Sequence, residues 1–144
     1  MRHCIPTRIL LVDDHRMMRE GLRSLLDLHA DLRVVGEAGD GEAAVKAVRE
    51  LHPDIVVMDI QMPGLNGIEA TRRITGEFPE VKVIGLSMLF LKSGEAGMAA
   101  AGAVAVLNKN SAFEELAVTI RDVIRGGSPR GLQSPRRPRK SPDP

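Results

Sequence analysis

The chain has 144 residues, 43% of them hydrophobic and 27% charged, with a net charge of +1. That length is enough for one core of the usual domain size, roughly 100–150 residues. Only 2% of residues are aromatic, with no Trp or Tyr, so the core is expected to be aliphatic. No apolar run approaches the ~18 residues of a membrane-spanning helix, which argues against insertion in a bilayer. Residues 1–6 lack the apolar stretch of a secretory signal, and Cys4 is the only cysteine; both point to a reducing, cytoplasmic setting.

In chain order, short aliphatic runs alternate with segments of helical period, which predicts five βα units. The expected strands are 8–12, 32–37, 55–58, 81–86 and 104–107. Several are apolar at consecutive positions, as in strands covered on both faces. Met18, Leu22, Leu25 and Leu26 mark one face of the first helix, and Ala44, Val48 and Leu51 one face of the second. Asn66 with Glu69, and Ser111 with Glu114, predict capped helix starts. The helix over 93–101 contains Gly94 and Gly97, each costing about 1 kcal/mol relative to Ala, and is expected to be the weakest and most mobile. In the last helix Phe113, Leu116, Ala117, Ile120 and Ile124 are expected to face inward, with Gly126 and Gly127 ending it. Residues 1–6 read as an extension and 7–125 as the folded domain. Residues 126–144 hold five basic residues (Arg130, Arg136, Arg137, Arg139, Lys140) and one acid, Asp143. This Pro-, Ser- and Arg-rich tail reads as disordered and solvated, although a basic arm could also touch phosphates. The part expected to fold is left at −3.

Strands joined through helices cannot pair as hairpins, so right-handed crossovers predict a parallel sheet with helices on both faces. In such doubly wound α/β folds, ligands sit at the carboxyl ends of the strands. Strand one runs into Asp13 and Asp14, strand three into Asp59, strand four into Ser87, and strand five, after Asn108, into Lys109. Crowded carboxylates repel one another, and a hard divalent ion with oxygen ligands, such as Mg²⁺, relieves that repulsion. Lys109 can neutralise an anion drawn to the metal, and Ser87 can donate a hydrogen bond to it. A carboxylate held beside an in-line phosphodonor can form an aspartyl phosphate. Pro63 with its neighbouring glycines predicts a turn after Asp59.

Taken singly, several of these residues have plainer roles. Asp14 or Asp40 after a strand reads as a helix cap, Lys109 as a surface lysine, and Ser87 as a group bonding nearby backbone. Met17 and Met18 read as helix surface and core filler. Gly36, Gly39 and Gly41 do not have dinucleotide-site spacing and read as turn residues. None of His3, His15, His29 and His52 has a partner at metal spacing, so zinc is not expected.

In combination, "ILLVDDH" at 9–15, "DIVVMDIQMPGLNGIEA" at 54–70, "LSM" at 86–88 and "GAVAVLNK" at 102–109 resemble the motifs of response-regulator receiver domains. The likeness spans 8–125. It implies a flavodoxin-like (βα)5 fold, a five-stranded parallel sheet with helices on both faces. It further implies Asp59 as phosphoacceptor and Mg²⁺ held by Asp14, Asp59 and the Gln61 carbonyl, with Asp13 assisting through water. Ser87 and Lys109 would read the phosphoryl group. A sensor histidine kinase would be the donor, and the domain would speed its own phosphorylation and dephosphorylation.

"DDHRMMREGLRSLL" and "VVGEAGDGEAAV" are most similar to receivers of the NarL/FixJ (LuxR-type) transcription regulators, here without the helix-turn-helix output domain. That implies a downstream output protein or a homodimer partner, and no DNA or membrane binding by the receiver itself. Two positions depart from the family pattern. Val106 stands where an aromatic is usual, and Asn110 where Pro is frequent; the first removes the ring that turns inward on activation. A phospho-independent interaction module and a small Mg²⁺-dependent phosphohydrolase are the alternative readings, the second lacking an identifiable acid/base residue.

Overall fold

The computed structural model describes residues 5–62, 64–88 and 92–126. In chain order the elements are β1 (Thr7–Val12), α1 (Arg16–Leu26), β2 (Leu32–Ala38), α2 (Gly41–Leu51), β3 (Ile55–Asp59), α3 (Gly67–Glu77), β4 (Lys82–Ser87), α4 (Lys92–Ala101), β5 (Ala105–Asn108) and α5 (Ala112–Ile124). The five expected βα units are all present, with boundaries moved by one residue at most of the strand ends. All pairings are parallel, in the order β2-β1-β3-β4-β5. Because β2 and β3 lie on opposite sides of β1, the connections reverse direction between β1 and β3. A crevice opens there, outside the strands' carboxyl ends.

Two-residue alternation splits the strands' side chains between two cores. Ile9, Leu11, Val57 and Leu86 pack with Leu22 and Leu26 of α1 and with Leu116 and Ile120 of α5. Leu10, Val12, Val56 and Met58 pack with Val48 of α2, Ile74 of α3 and Met98 of α4. The core is aliphatic, as the composition requires. No helix among the described residues is long and apolar enough to cross a membrane.

Local side-chain caps mark the starts of α2 and α3. Asn66 accepts from the Glu69 N–H at 2.9 Å, and Asp40 caps α2 by accepting from the Ala43 N–H at 2.8 Å. Asp14 does not act as a cap, since the residue preceding α1 is His15. Ser111 is a correction: it makes no side-chain cap, and its hydroxyl donates to the Asn108 carbonyl at 3.2 Å. A 3-10 turn, Lys109–Ser111, intervenes, and Asn108 Oδ1 caps that turn through the Asn110 N–H at 2.7 Å.

The buried face of α5 matches the expected one at Leu116, Ala117 and Ile120 but not at its edges. Ala112, Leu116, Ala117, Thr119, Ile120 and Val123 point inward, whereas Phe113 and Ile124, expected inside, are 42% and 49% exposed. Phe113 instead lies over α1, where a Cβ on Gly21 would stand 3.0 Å from its ring. Gly97 has a packing role as well, because a Cβ there would come within 2.8 Å of Ile68 on α3. Val106 is buried beside Gly85 in the second core. Gly126 adopts φ +83 just after α5, while Cys4, Pro63, Gly127 and the basic tail lie outside the described residues.

One glycine bears directly on the strand-end crevice. A Cβ at Gly67 would sit 2.0 Å from the Asp59 carbonyl oxygen and 2.8 Å from the Ile60 Cα. Both neighbours are backbone, which cannot rotate away. Gly67→Ala is expected to lower the unfolding free energy by about 2 kcal/mol, the scale of an overpacked core site. At Gly76 of the same helix an added Cβ would meet nothing within 4 Å, so Gly76→Ala should instead add up to about 1 kcal/mol through helix propensity. Urea unfolding of the two variants checks the contrast, and equal effects would contradict it.

Candidate functional site

The β1–β3 crevice collects charge because three strands end in it. β1 passes directly into Asp13, β3 finishes on Asp59, and β5 leads through Asn108 to Lys109. Asp13 and Asp59 are each only 2% exposed and Lys109 only 5%. Buried charges of this kind persist only when paired. The Lys109 ammonium lies 2.8 Å from Asp13 Oδ2 and 3.2 Å from Asp59 Oδ2, so one cation bridges two carboxylates from different strands. The second oxygen of each acid is engaged separately. Asp59 Oδ1 accepts from the Gln61 N–H at 3.2 Å, and Asp13 Oδ1 accepts from the His15 N–H at 2.8 Å.

Two negative charges with one buried positive charge leave an imbalance, and it falls on Asp59. Burial first, and the Asp13 charge second, push its carboxyl up from 3.8 to about 6, against the opposing pull of Lys109 and the Gln61 N–H. Burial also opposes ionised Asp13, but hydrogen bonds from Lys109 and His15 outweigh it and hold Asp13 below the ordinary range. Lys109 shows the mirror image. Burial would lower its pKa, and the two carboxylates raise it instead. Near neutral pH the crevice is therefore an anionic pocket with a fixed ammonium on one wall.

The remaining residues singled out in the sequence fall nearby. Ser87 ends β4, is 8% exposed, and pairs with Asn108 of β5, one position beyond the Asp59–Leu86 pairing. Asp14 is exposed at the rim. Gln61 reaches the cluster through its backbone N–H.

His15, which has no partner at metal spacing along the sequence, belongs here. Its Nδ1 is 2.9 Å from Asp13 Oδ1 and 3.2 Å from Asp14 Oδ1, and ligand atoms of Asp13, Asp14, His15 and Asp59 all lie within 4.8 Å of one another. The signal in the sequence is adjacency: an extended residue directly after an Asp-Asp pair at a strand end can fold its ring back onto them, and His15 has φ −97 and ψ 106.

Comparison with known proteins agrees with this architecture. The profile of the response regulator receiver domain matches residues 9–121. The transcriptional regulatory protein LiaR of Bacillus subtilis (strain 168) is 40% identical over 119 residues, covering 83% of this chain and 56% of LiaR. The response regulator UvrY of Escherichia coli (strain K12) is 42% identical over 118 residues, covering 82% of this chain and 54% of UvrY. The chain thus spans about half the length of these curated relatives.

Among solved structures, a LuxR-family two-component response regulator from Aurantimonas sp. SI85-9A1 superposes with a TM-score of 0.82 at 36% identity, covering 88% of this chain and 90% of that one. The signal receiver domain of the putative response regulator NarL from Mycobacterium tuberculosis gives 0.80 at 29% identity, covering 85% and 98%. With its parallel 2-1-3-4-5 sheet and its acids gathered at the β1–β3 crevice, the chain belongs to the response regulator receiver domain family, the signalling switches of two-component systems, and its relatives are response regulators of the LuxR/NarL kind.

Proposed function

We propose that Asp59 accepts a phosphoryl group from a phosphohistidine of a sensor histidine kinase, and that the aspartyl phosphate redistributes the domain between inactive and active surfaces. One observation carries this reading: a carboxylate 2% exposed is held against a buried ammonium at the crevice where the connections reverse. An Asp59 oxygen attacks phosphorus, the P–N bond breaks as the P–O bond forms, and the departing imidazole takes up a proton. Asp59 must be ionised to attack, and with its carboxyl near 6 it is ionised at pH 7. Lys109, already against Asp59, moves its charge onto the phosphoryl oxygens. Ser87, at the end of the adjacent strand, supplies a hydroxyl to the same group.

The donor set also suits Mg²⁺. The pocket gathers three carboxylates around the single ammonium of Lys109, and its carboxylate and backbone oxygens are hard ligands of the kind this ion prefers. Asp13, Asp14, Asp59 and the Gln61 backbone carbonyl would hold it, with Asp13 acting through water. When bound, it offsets the negative charge of an incoming phosphoryl group.

The switch then acts on a partner, either an output protein or a second copy of the chain. Output to transcription is proposed from relatives that are themselves named transcriptional or response regulators. On this reading the domain speeds its own phosphorylation and dephosphorylation, works in the cytoplasm, and does not itself contact DNA. A bound group changes populations only through its different interaction with the two states. Here the difference lies in Lys109 and Ser87, because Val106, buried and aliphatic, offers no aromatic ring to swing inward.

Incubation with acetyl phosphate and Mg²⁺, followed by intact-mass analysis, is expected to add one phosphoryl group to the wild type and none to Asp59→Asn. An adduct of equal yield on Asp59→Asn would refute the assignment.

A further inference from the structure

The second core places one side chain of α4 directly over the strand that ends in Ser87. We infer that Met98 relays phosphorylation from the end of β4 to α4, taking the place of an aromatic ring at Val106. This rests on the proposed role of Ser87 beside the phosphoryl group.

Successive residues of β4 face opposite sides of the sheet. Ile84 and Leu86 enter the core under α1 and α5, so Val83, Gly85 and Ser87 share the other face, towards α3 and α4. Gly85 lies between Met58 of β3 and Val106 of β5, and it has no side chain to cover the sheet. Met98 fills that gap. A Cβ on Gly85 would stand 2.7 Å from the Met98 Cε, and 3.5 Å from both the Met98 Cγ and the Val106 Cγ2. Among the described side chains of α4, Met98 is the one large group that is fully buried, at 0% exposure. Its sulfur accepts from the Thr71 hydroxyl of α3 at 3.7 Å. A single α4 side chain thus covers β4 two residues before Ser87 and is held from behind by α3.

The C-terminal end of α4 is anchored. The Thr75 hydroxyl of α3 donates to the Ala101 carbonyl at 2.6 Å, and the Ala103 N–H bonds back to the Met98 carbonyl at 2.9 Å. Thr75 also lies against Gly102, where φ is +112 and a Cβ would come within 2.6 Å of the Thr75 oxygen. This last turn acts as a fulcrum, with Met98 a short arm away and Lys92, the first helical residue, a long one. From the rise per residue the arms are about 4.5 and about 13.5 Å, so a displacement at Met98 grows roughly threefold at the start of α4.

A close-packed core has little slack to absorb movement of a strand. When the Ser87 hydroxyl moves onto a phosphoryl oxygen, the floor beneath the Met98 methyl moves with it. An unbranched thioether with three rotatable bonds follows by changing rotamer, and the helix turns about its anchored end. Val106, branched at Cβ, is stiff at χ1 and has no such freedom.

The test follows Met98 in the full chain, with isotope-labelled methionine methyls and with acetyl phosphate and Mg²⁺ as phosphodonor. Met98→Leu, a volume-conserving change, identifies the Met98 resonance by its disappearance. That resonance is expected to shift when the wild type is phosphorylated and to stay fixed in Asp59→Asn. The methyl of Met17, 84% exposed on α1, should not move in either. Hydrogen exchange supplies the second readout. Met98→Ala should take up the phosphoryl group to the same yield, yet the change in α4 amide exchange on phosphorylation is expected to be largely lost, and Met98→Leu should restore most of it. Ile74→Val, which trims the same core from α3, should leave that change intact, separating a relay from a general loss of packing. Should Met98→Ala fail to fold, the methyl shift still decides. A Met98 methyl that stays in place although the adduct forms overturns the inference alone, as does a full α4 response in Met98→Ala. No adduct on the wild type overturns the phosphoacceptor reading beneath it.

Discussion

Asp59→Asn is expected to yield a more stable protein than the wild type at pH 7, even as it loses the proposed phosphoacceptor. The folded state raises the Asp59 carboxyl from 3.8 to about 6, so folding favours the protonated form. The stability this group contributes is fully present below pH 3.8 and is lost as the pH climbs through 6. Above that, ionised Asp59 is a liability, buried beside ionised Asp13 and sharing Lys109 with it.

Asparagine has the same shape and no charge to bury. A rise of that size corresponds to roughly 3 kcal/mol, and the weakened hold on Lys109 takes part of that back. A net gain of about 2 kcal/mol at pH 7 follows, or roughly 5–10 °C in Tm for a domain of this size. The gain should shrink steadily towards pH 4, where both proteins are neutral at this position. Thermal unfolding in chelator across pH 4–8 measures it, and an advantage independent of pH would show that the charge is not its source. Mg²⁺ should narrow the gap at pH 7 by stabilising the wild type selectively.

That a proposed phosphoacceptor is expected to weaken the fold bears on what is legible in the sequence. The sheet is readable because burial on both faces forces consecutive apolar residues, as in Ile55, Val56, Val57 and Met58, all 1% exposed or less. The site is readable for the opposite reason. Asp13, Asp59 and Lys109 follow such runs, where nothing in packing calls for charge. Their order along the chain, combined with the carboxyl-end rule for parallel sheets, is enough to bring them together.

Sequence and structure part where local rules compete. Along α5 the buried stripe keeps the helical period through Ala112, Leu116, Ile120 and Val123, and a 3-10 turn, Lys109–Ser111, precedes it. Leu116, Ala117 and Ile120 are buried as expected, while Phe113 and Ile124 fall at the edges of that stripe and stay outside. Ser111 fits the capping pattern, but Asn108 takes up that role one turn earlier. His15 escapes a reading based on spaced ligand pairs along a helix or loop. Its partners are instead the two residues immediately before it, reached through the chain's bend out of β1. Contacts of this kind depend on backbone direction at one residue, which residue type alone does not specify.

The same imbalance of charge predicts that Lys109→Ala is the most damaging single change in the crevice. Lys109 is the cation that Asp13 and Asp59 share, at 2.8 and 3.2 Å, and all three groups are almost fully buried. Removing it leaves two carboxylates facing each other across a dry gap. Breaking a buried pair in this way costs about 3–5 kcal/mol, more than the pair itself contributes, because an uncompensated charge remains.

Acid should reverse much of the loss. Without the ammonium, Asp59 is driven still further above its ordinary range, so the variant's deficit is full only once the pH exceeds that higher value and diminishes as Asp59 protonates on the way down. A second substitution should reverse it as well. In Asp59→Asn/Lys109→Ala a single buried carboxylate is left, and the double variant is expected to be more stable than Lys109→Ala alone, a coupling that a double-mutant cycle quantifies. Urea unfolding in chelator at pH 5 and pH 8 decides the matter. If Lys109→Ala matched the wild type at pH 8, the ammonium would not be the counter-charge that allows two acids to share this crevice, and the electrostatic account of the site would fail with it.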